Sequence, residues 1–276
     1  MSQYLQFCKM HGLGNDFILI DAINQTVSID KTWIRQMADR HLGIGFDQLL
    51  LIEKSHQADF ACRIYNADGS EAEQCGNGIR CVARFIHEEN LSNLKSLSIE
   101  TKAGIIAVVI HHFDNIQVNM GVPIFEPKKI PFIAEKQQPL YLIPVENTST
   151  ALEFSALSMG NPHAILRIPA IKHFPVEDIV QKLTHHALFP QGVNIGFVEV
   201  IDRQHVRLRT IERGVGETFA CGTNACAAVV AGMMNDWLDN NVTVHLKYGN
   251  LYIEWAGQNQ PVMMTGPAAR VFAGSV

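Results

Sequence analysis

The second half of this chain repeats the first, and that repeat limits the fold more than any other feature. At an offset of 146 residues, Gly14-Asn15 meets Gly160-Asn161, Gln48 meets Asn194, Arg63 meets Arg209, Asn66 meets Glu212, and Cys75-Gly76 meets Cys221-Gly222. Beyond these cysteines the offset is 145: Cys81 meets Cys226, Lys102 meets Lys247, Gly104 meets Gly249, and Gly121 meets Gly266. One single-residue deletion accounts for the change. Each match alone means little, because Gly and Asn are common. A register held across the chain with one gap marks a true internal repeat. It predicts two similar domains, residues 1–121 joined by 267–276, and residues 122–266. The last ten residues, from Pro267, lie beyond the second copy and are expected to return to the first domain or to a partner chain.

The hydrophobic pattern runs in the same order in both copies. Short apolar runs bounded by polar residues read as strands: FILID (17–21), QLLLIEK (48–54) and FACRIY (60–65), then SLSIET, GIIAVVI and NIQVNM. The second copy has AILRI, NIGFVEV and HVRLRTI, then VTVHLK, NLYIEW and PVMMT. One helix separates the strand sets in each half. Asn77–Glu89 carries Ile79, Val82, Ala83 and Ile86 at helical spacing, and Thr223–Asn235 is apolar nearly all round, as a buried central helix is. Further helices are expected at 31–40 and 176–186. The fold class is α+β: two pseudo-symmetric domains, each a mixed or antiparallel sheet wrapped around a central helix, with an active site expected in the cleft between them.

Composition excludes several functions. The 276 residues carry a formal net charge of -5 and no Lys/Arg block, so neither nucleic acid nor an anionic membrane surface is an expected partner. The N-terminus lacks a charged region followed by an apolar run, and the longest apolar stretches fall far short of a bilayer span, so a soluble cytoplasmic protein is expected. The six cysteines (Cys8, Cys62, Cys75, Cys81, Cys221 and Cys226) form no CxxC pair or zinc-site spacing, and reduced thiols are expected. No metal site is read, the His111-His112 and His185-His186 doublets being expected in solvent.

Cys75 and Cys221 each precede the glycine that opens a central helix. Unpaired N–H groups and the helix dipole at such a position favour a thiolate and bind a carboxylate. The small residues that follow, Gly76-Asn77-Gly78 and Gly222-Thr223-Asn224, allow a ligand close to the backbone. Two such helix ends would clasp one carboxylate with a thiol on either face of the adjoining carbon. One thiolate would remove a proton, the other thiol would return one from the opposite side, and the fixed dipoles would replace a cofactor. The other four cysteines read as small buried hydrophobes.

The motifs HGLGNDF (11–17), NADGSEAEQCGNGIRC (66–81), GNPHA (160–164), GVNIGF around Asn194, and ERGVGETFACGTNACA (212–227) resemble those of the diaminopimelate epimerases, nearly end to end. The resemblance implies interconversion of L,L- and meso-2,6-diaminopimelate without cofactor or metal, in lysine and peptidoglycan precursor biosynthesis, by a homodimer. It implies catalytic Cys75 and Cys221. It assigns substrate binding to Asn15, Gln48, Asn66, Asn161, Asn194, Glu212 and Arg213, and to the backbone of Gly76, Asn77, Gly222 and Thr223. It also implies that His163 and Glu212 modulate the thiols. Thr223 stands where many members have Ser, and Phe272, at the expected dimer contact, where many have Tyr. Asn66 and Glu212 differ between copies, which fits an asymmetric substrate, and Arg213 has the fork to grip a distal carboxylate. Arg40 and Asp47 read as structural, or as supports behind the residues that meet the substrate.

Three other functions can be weighed on the residues alone. A racemase of the proline type shares the two-cysteine logic, but a ring substrate has no distal carboxylate for Arg213. A thiol redox protein would pair Cys75 with Cys221 in a reversible disulfide. A non-enzymatic amino-acid binder leaves two activated thiols unexplained.

Overall fold

The computed structural model describes residues 4–72, 75–144, 151–184 and 186–276. The chain divides into two compact units, Met1–Asn119 with Thr265–Val276, and Met120–Met264.

In the first unit, β1 (Gln6–Gly12) and β2 (Asn15–Asp21) form a hairpin. Its turn residues, Leu13 (φ 56°) and Gly14 (φ 90°), are both left-handed, which matches the twist of two-residue hairpin turns. Then follow α1 (Lys31–Ala38), β3 (Gln48–Glu53), β4 (Phe60–Asn66) and β5 (Glu71–Ala72). The central helix α2 (Gly76–Glu88) leads into β6 (Ser96–Thr101), β7 (Gly104–His112) and β8 (Asn115–Asn119). β2 pairs with β3 in parallel, β3 with β4 antiparallel, β4 with β6 in parallel, and β6, β7 and β8 form a meander. The runs FILI and LLLI are apolar without alternation because this parallel pair is covered on both faces. Ile18, Ile20, Leu49 and Leu51 pack with Ile34 of α1 and Phe46. Leu50 points the other way, to Gly78 of α2.

The second unit repeats this order. It contains β9 (Tyr141–Pro144), β10 (Ala151–Ser158), β11 (Pro162–Arg167), α3 (Val176–Thr184), β12 (Asn194–Asp202), β13 (His205–Glu212) and β14 (Gly216–Thr218). The central helix α4 (Gly222–Met234) precedes β15 (Asn241–Leu246), β16 (Gly249–Trp255) and β17 (Val262–Gly266). The pairing is again antiparallel β10–β11, parallel β11–β12, antiparallel β12–β13, parallel β13–β15 and antiparallel β15–β16. Phe132, Tyr141, Phe154, Phe189 and Phe197 form an aromatic core with Ile179 and Leu183 of α3. Finally β18 (Ala269–Ser275) returns to the first unit, antiparallel to β1.

Both central helices open at the glycine after the cysteine, Gly76 and Gly222, one residue ahead of the apolar period read from Asn77 and Thr223. They end at left-handed residues just beyond, Asn90 (φ 55°) and Asp236 (φ 57°), types that tolerate this conformation. The helix expected at 31–40 stops at Ala38, because the Asp39 side chain accepts from the His41 and Leu42 N–H groups and turns the chain. The helix expected to 186 ends at Thr184. β5, β9, β10, β14 and β18 are absent from the sequence reading, which places Cys8 of β1 on a strand without bounding it. Lys9 interrupts the apolar run of β1, yet it is buried through its ion pair with Asp16 (2.5 Å). Among the described residues, no helix is long and apolar enough to cross a membrane.

Candidate active site

The first unit gathers Cys75, Asn15, Asn77, Gln48 and Asn66 at one end of its sheet. Cys75 is the N-cap of α2, with extended backbone (φ -150°, ψ 103°). Its Sγ accepts from the Gly78 N–H (3.4 Å) and donates to Asn15 Oδ1 (3.8 Å). The β1–β2 turn delivers Asn15 there, and Asn77 Nδ2 donates to the same oxygen (3.3 Å). Gln48 and Asn66 face each other across β3 and β4, joined by a 2.9 Å amide–amide bond. Asn66 Nδ2 continues to Ser70 Oγ (3.0 Å). The first turn of α2, Gly76-Asn77-Gly78, is buried, with its N–H groups at the helix start.

In the second unit Cys221 is the N-cap of α4 and only 6% exposed, whereas Cys75 is half-buried. Its Sγ lies 3.3 Å from Thr223 Oγ1. Burial, and then the Glu212 carboxylate, push the Cys221 thiol well above its ordinary range; the Thr223 hydroxyl and the Asn224 amide pull weakly the other way. At Cys221, burial and the Glu212 carboxylate thus act against the helix terminus. Desolvation of an anion outweighs a partial helix charge, and a carboxylate neighbour adds to it. Thr218 Oγ1 donates to Glu212 Oε1 (2.6 Å), which holds that carboxylate in place.

Asn161 lies in the turn before β11, and its Oδ1 is 2.8 Å from His163 Nε2. His163 is fully buried, and burial holds its pKa down at about 3, helped by the Arg213 charge; Asn224 opposes this. The Asn224 side chain acts on the ring at hydrogen-bonding range, although neither His163 Nδ1 nor Asn224 Oδ1, both buried, makes a well-formed hydrogen bond. A neutral imidazole orients its neighbours and places no charge beside a thiol. Asn194 faces His163 across β11 and β12. Both ends of its amide are engaged by backbone, Nδ2 with Pro162 O (2.9 Å) and Oδ1 with the Arg213 N–H (3.0 Å). Arg213 is exposed, and its Nη1 donates to Gln191 O (2.8 Å).

Sequence reasoning gave no role at the site to two neighbours of these groups, Thr218 and Asn224, and read a third, Asp47, only as structural or supporting. Asp47 bonds Asn15, Thr218 holds Glu212, and Asn224 reaches the carbonyl of Ile195 (3.0 Å) beside His163. The signal for Asp47 was its place next to Gln48; for Asn224 it was a polar residue in an otherwise apolar helix. The remaining cysteines are buried: burial pushes Cys8 up to about 11 and Cys81 to about 12. All six cysteines are free thiols. Among the described residues no group of three His, Cys, Asp or Glu is placed to hold a metal ion. His111 and His112 are exposed; His185 lies outside the described residues.

A family model described as diaminopimelate epimerase matches residues 7–126 and 155–271, both cysteine-capped helices included. The chain belongs to the diaminopimelate epimerase family. It is 52% identical over 274 residues to the diaminopimelate epimerase of Ectopseudomonas mendocina, covering 99% of each chain. It is 53% identical over 276 residues to that of Nitrosomonas eutropha, again covering 99% of each. The same fold occurs in solved structures of distant sequence. A Bacillus anthracis phenazine biosynthesis protein of the PhzF family has a TM-score of 0.69 at 17% identity, covering 99% of each chain. A hydroxyproline epimerase from Agrobacterium vitis has 0.69 at 16%, covering all of this chain and 93% of the other. The family's fold is thus the pair of pseudo-symmetric α+β units described above.

Proposed function

We propose that this chain interconverts L,L- and meso-2,6-diaminopimelate, without a cofactor, by proton transfer at one α-carbon, in lysine and peptidoglycan precursor biosynthesis. The observation that carries this reading is the recurrence, in a member of this family, of a cysteine as N-cap of the central helix in both units. In one direction the thiolate of one cysteine takes the α-proton and becomes a thiol. The thiol of the other gives its proton to the opposite face and becomes a thiolate. The configuration inverts, and the reverse reaction exchanges the two roles. Backbone N–H groups at Gly76-Asn77 and Gly222-Thr223 receive the α-carboxylate and stabilise the charge that builds on it when the proton leaves.

Burial and the Glu212 carboxylate favour the protonated form of Cys221, and the direction in which it serves as base requires substrate binding to change those surroundings. Glu212 and Arg213 read the substrate's amine and distal carboxylate; Asn15, Gln48, Asn66 and Asn161 supply amide donors and acceptors. Asn194 contributes through its grip on the Arg213 main chain, and His163 through Asn161. The protein works as a cytoplasmic homodimer, with Phe272 at the contact. In support, Phe272 is 47% exposed on β18, edge-on to Phe7 at 6.0 Å.

The test is solvent deuterium entry at the α-carbon. The wild type is expected to label L,L-diaminopimelate and not proline, and Cys75→Ala and Cys221→Ala are each expected to abolish epimerisation. Labelling of proline alone, or full epimerisation by Cys221→Ala, refutes the reading.

A further inference from the structure

The two repeated asparagines stand at equivalent places, but their amides are held by different partners. Asn161 is held by an imidazole, whereas Asn15 Nδ2 donates to Asp47 Oδ2 at 2.8 Å. A carboxylate only accepts, so the end of Asn15 facing Asp47 is its NH2 and its oxygen faces away. That oxygen is the one at Cys75 Sγ and Asn77 Nδ2. Asp47 is itself fixed. Its Oδ1 accepts from Arg40 (2.9 Å), its Oδ2 from the Asp16 N–H (3.2 Å), and its own N–H donates to Asp16 O (2.9 Å). Arg40 also grips both Asp16 oxygens (2.9 and 2.7 Å), with Lys9 on the same carboxylate.

We propose that Asp47 is a positioning residue for the Cys75 chemistry: it locks the Asn15 amide with its oxygen toward Sγ, which gives the thiol proton an acceptor and favours the protonated, proton-donating form. The Gly78 N–H favours the thiolate, and an Asn15 amide turned end for end would add a second donor to that side. The catalytic meaning of this lock rests on the acid–base role proposed for Cys75; its effect on the thiol does not. Among the described residues, the other titratable and charged groups around this pair include His11 of β1, Cys62 of β4, Cys81 and Arg80 of α2, and Lys9, Asp16 and Arg40. All stay the same in the variants below.

The experiment follows iodoacetamide alkylation of Cys75 against pH in the full-length protein, read by mass of its peptide. Asp47→Ala releases Asn15, and the half-point is expected to fall by about one pH unit, with alkylation about tenfold faster below it. Asp47→Asn removes the same charge but keeps an oxygen for the donors of Asn15 and Asp16, and its profile is expected to stay close to wild type. Equal shifts in the two variants would assign the effect to charge alone and overturn the proposal, as would no shift in Asp47→Ala. Should Asp47→Ala fail to fold, Asn15→Ala removes the acceptor with Asp47 intact. Its half-point is expected to fall too, and no change there overturns the proposal. Deuterium exchange on the same wild-type sample separates the two readings: its absence sinks the epimerase reading and leaves the alkylation result standing.

Discussion

Arg80 offers a direct test of how the helix bearing Cys75 is held. It is 0% exposed and heads the fully buried side chains by volume. Its Nε donates to Pro267 O (3.1 Å) and its Nη2 to Asn77 Oδ1 (3.0 Å), so one guanidinium ties the first turn of α2 to the returning C-terminal segment. Arg80→Met keeps most of the volume and removes the donors. Hydrogen bonds from a charged donor contribute about 1.5–3 kcal/mol each, and a buried acceptor left without a partner costs about 1–3 kcal/mol. Pro267 is half-buried and its carbonyl can turn to water, whereas Asn77 is only 3% exposed. Relief from burying a cation offsets part of the loss. The net expectation is a loss of about 2–4 kcal/mol in the first unit. Native-state hydrogen exchange of the α2 amides reads this without assuming that the whole chain unfolds in one step. Those amides are expected to exchange about 30- to 700-fold faster, at about 1.4 kcal/mol per tenfold. Acceleration below about fivefold, or about 1 kcal/mol, would show that Arg80 is held at no net gain and refute the reasoning.

Three further outcomes follow from the same geometry. Glu212→Gln retains an oxygen for Thr218 but removes the negative charge that disfavours the Cys221 thiolate, so pH-dependent labelling of the Cys221 peptide is expected to shift to lower pH; an unmoved profile contradicts that role. Burial alone would raise the Asp16 carboxyl, but hydrogen bonds from Arg40 and Lys9 outweigh it and hold the pKa at about 2 against an ordinary 3.8. That depressed value contributes stability above pH about 4 that disappears as pH falls toward about 2, so acid unfolding of Asp16→Asn is expected to lose this part of its pH dependence; denaturation curves identical in slope to wild type would exclude it. Gly196→Ala would put a methyl 2.6 Å from Asn224 Oδ1 and 2.8 Å from Ile165 Cδ1, and the resulting overpacking is expected to cost about 1–3 kcal/mol in a denaturant titration, with a neutral result showing that the α4–β12 contact can yield.

Much of the fold was legible because it is encoded locally and twice. Cys-Gly followed by small residues and an apolar period marks the start of each central helix. Doubly covered parallel strands leave unbroken runs such as LLLI and NIGF. The repeat register then places Asn15 with Asn161, and Gln48 with Asn194, before any coordinates are known. β10, one of the strands that sequence reasoning missed, and β1, which it left unbounded, carry patterns broken by polar residues, and only their tertiary partners make these burials tolerable: the Pro139 carbonyl for Ser155 (2.7 Å), and Asp16 for Lys9.

By itself, then, the sequence determined two related α+β units, each with one cysteine at the head of its central helix. It could not determine how alike those thiols are. Local sequence presents the same helix terminus to both, but proton affinity depends on burial and on charges brought in from other strands. Tertiary structure buries Cys221 beside the Glu212 carboxylate and leaves Cys75 half-buried beside a neutral amide whose direction Asp47 sets. Those pairings join residues nine and 32 positions apart, respectively, and no local rule specifies them. The two cysteines are equivalent in position and different in environment, because desolvation and neighbouring charge are properties of the folded chain.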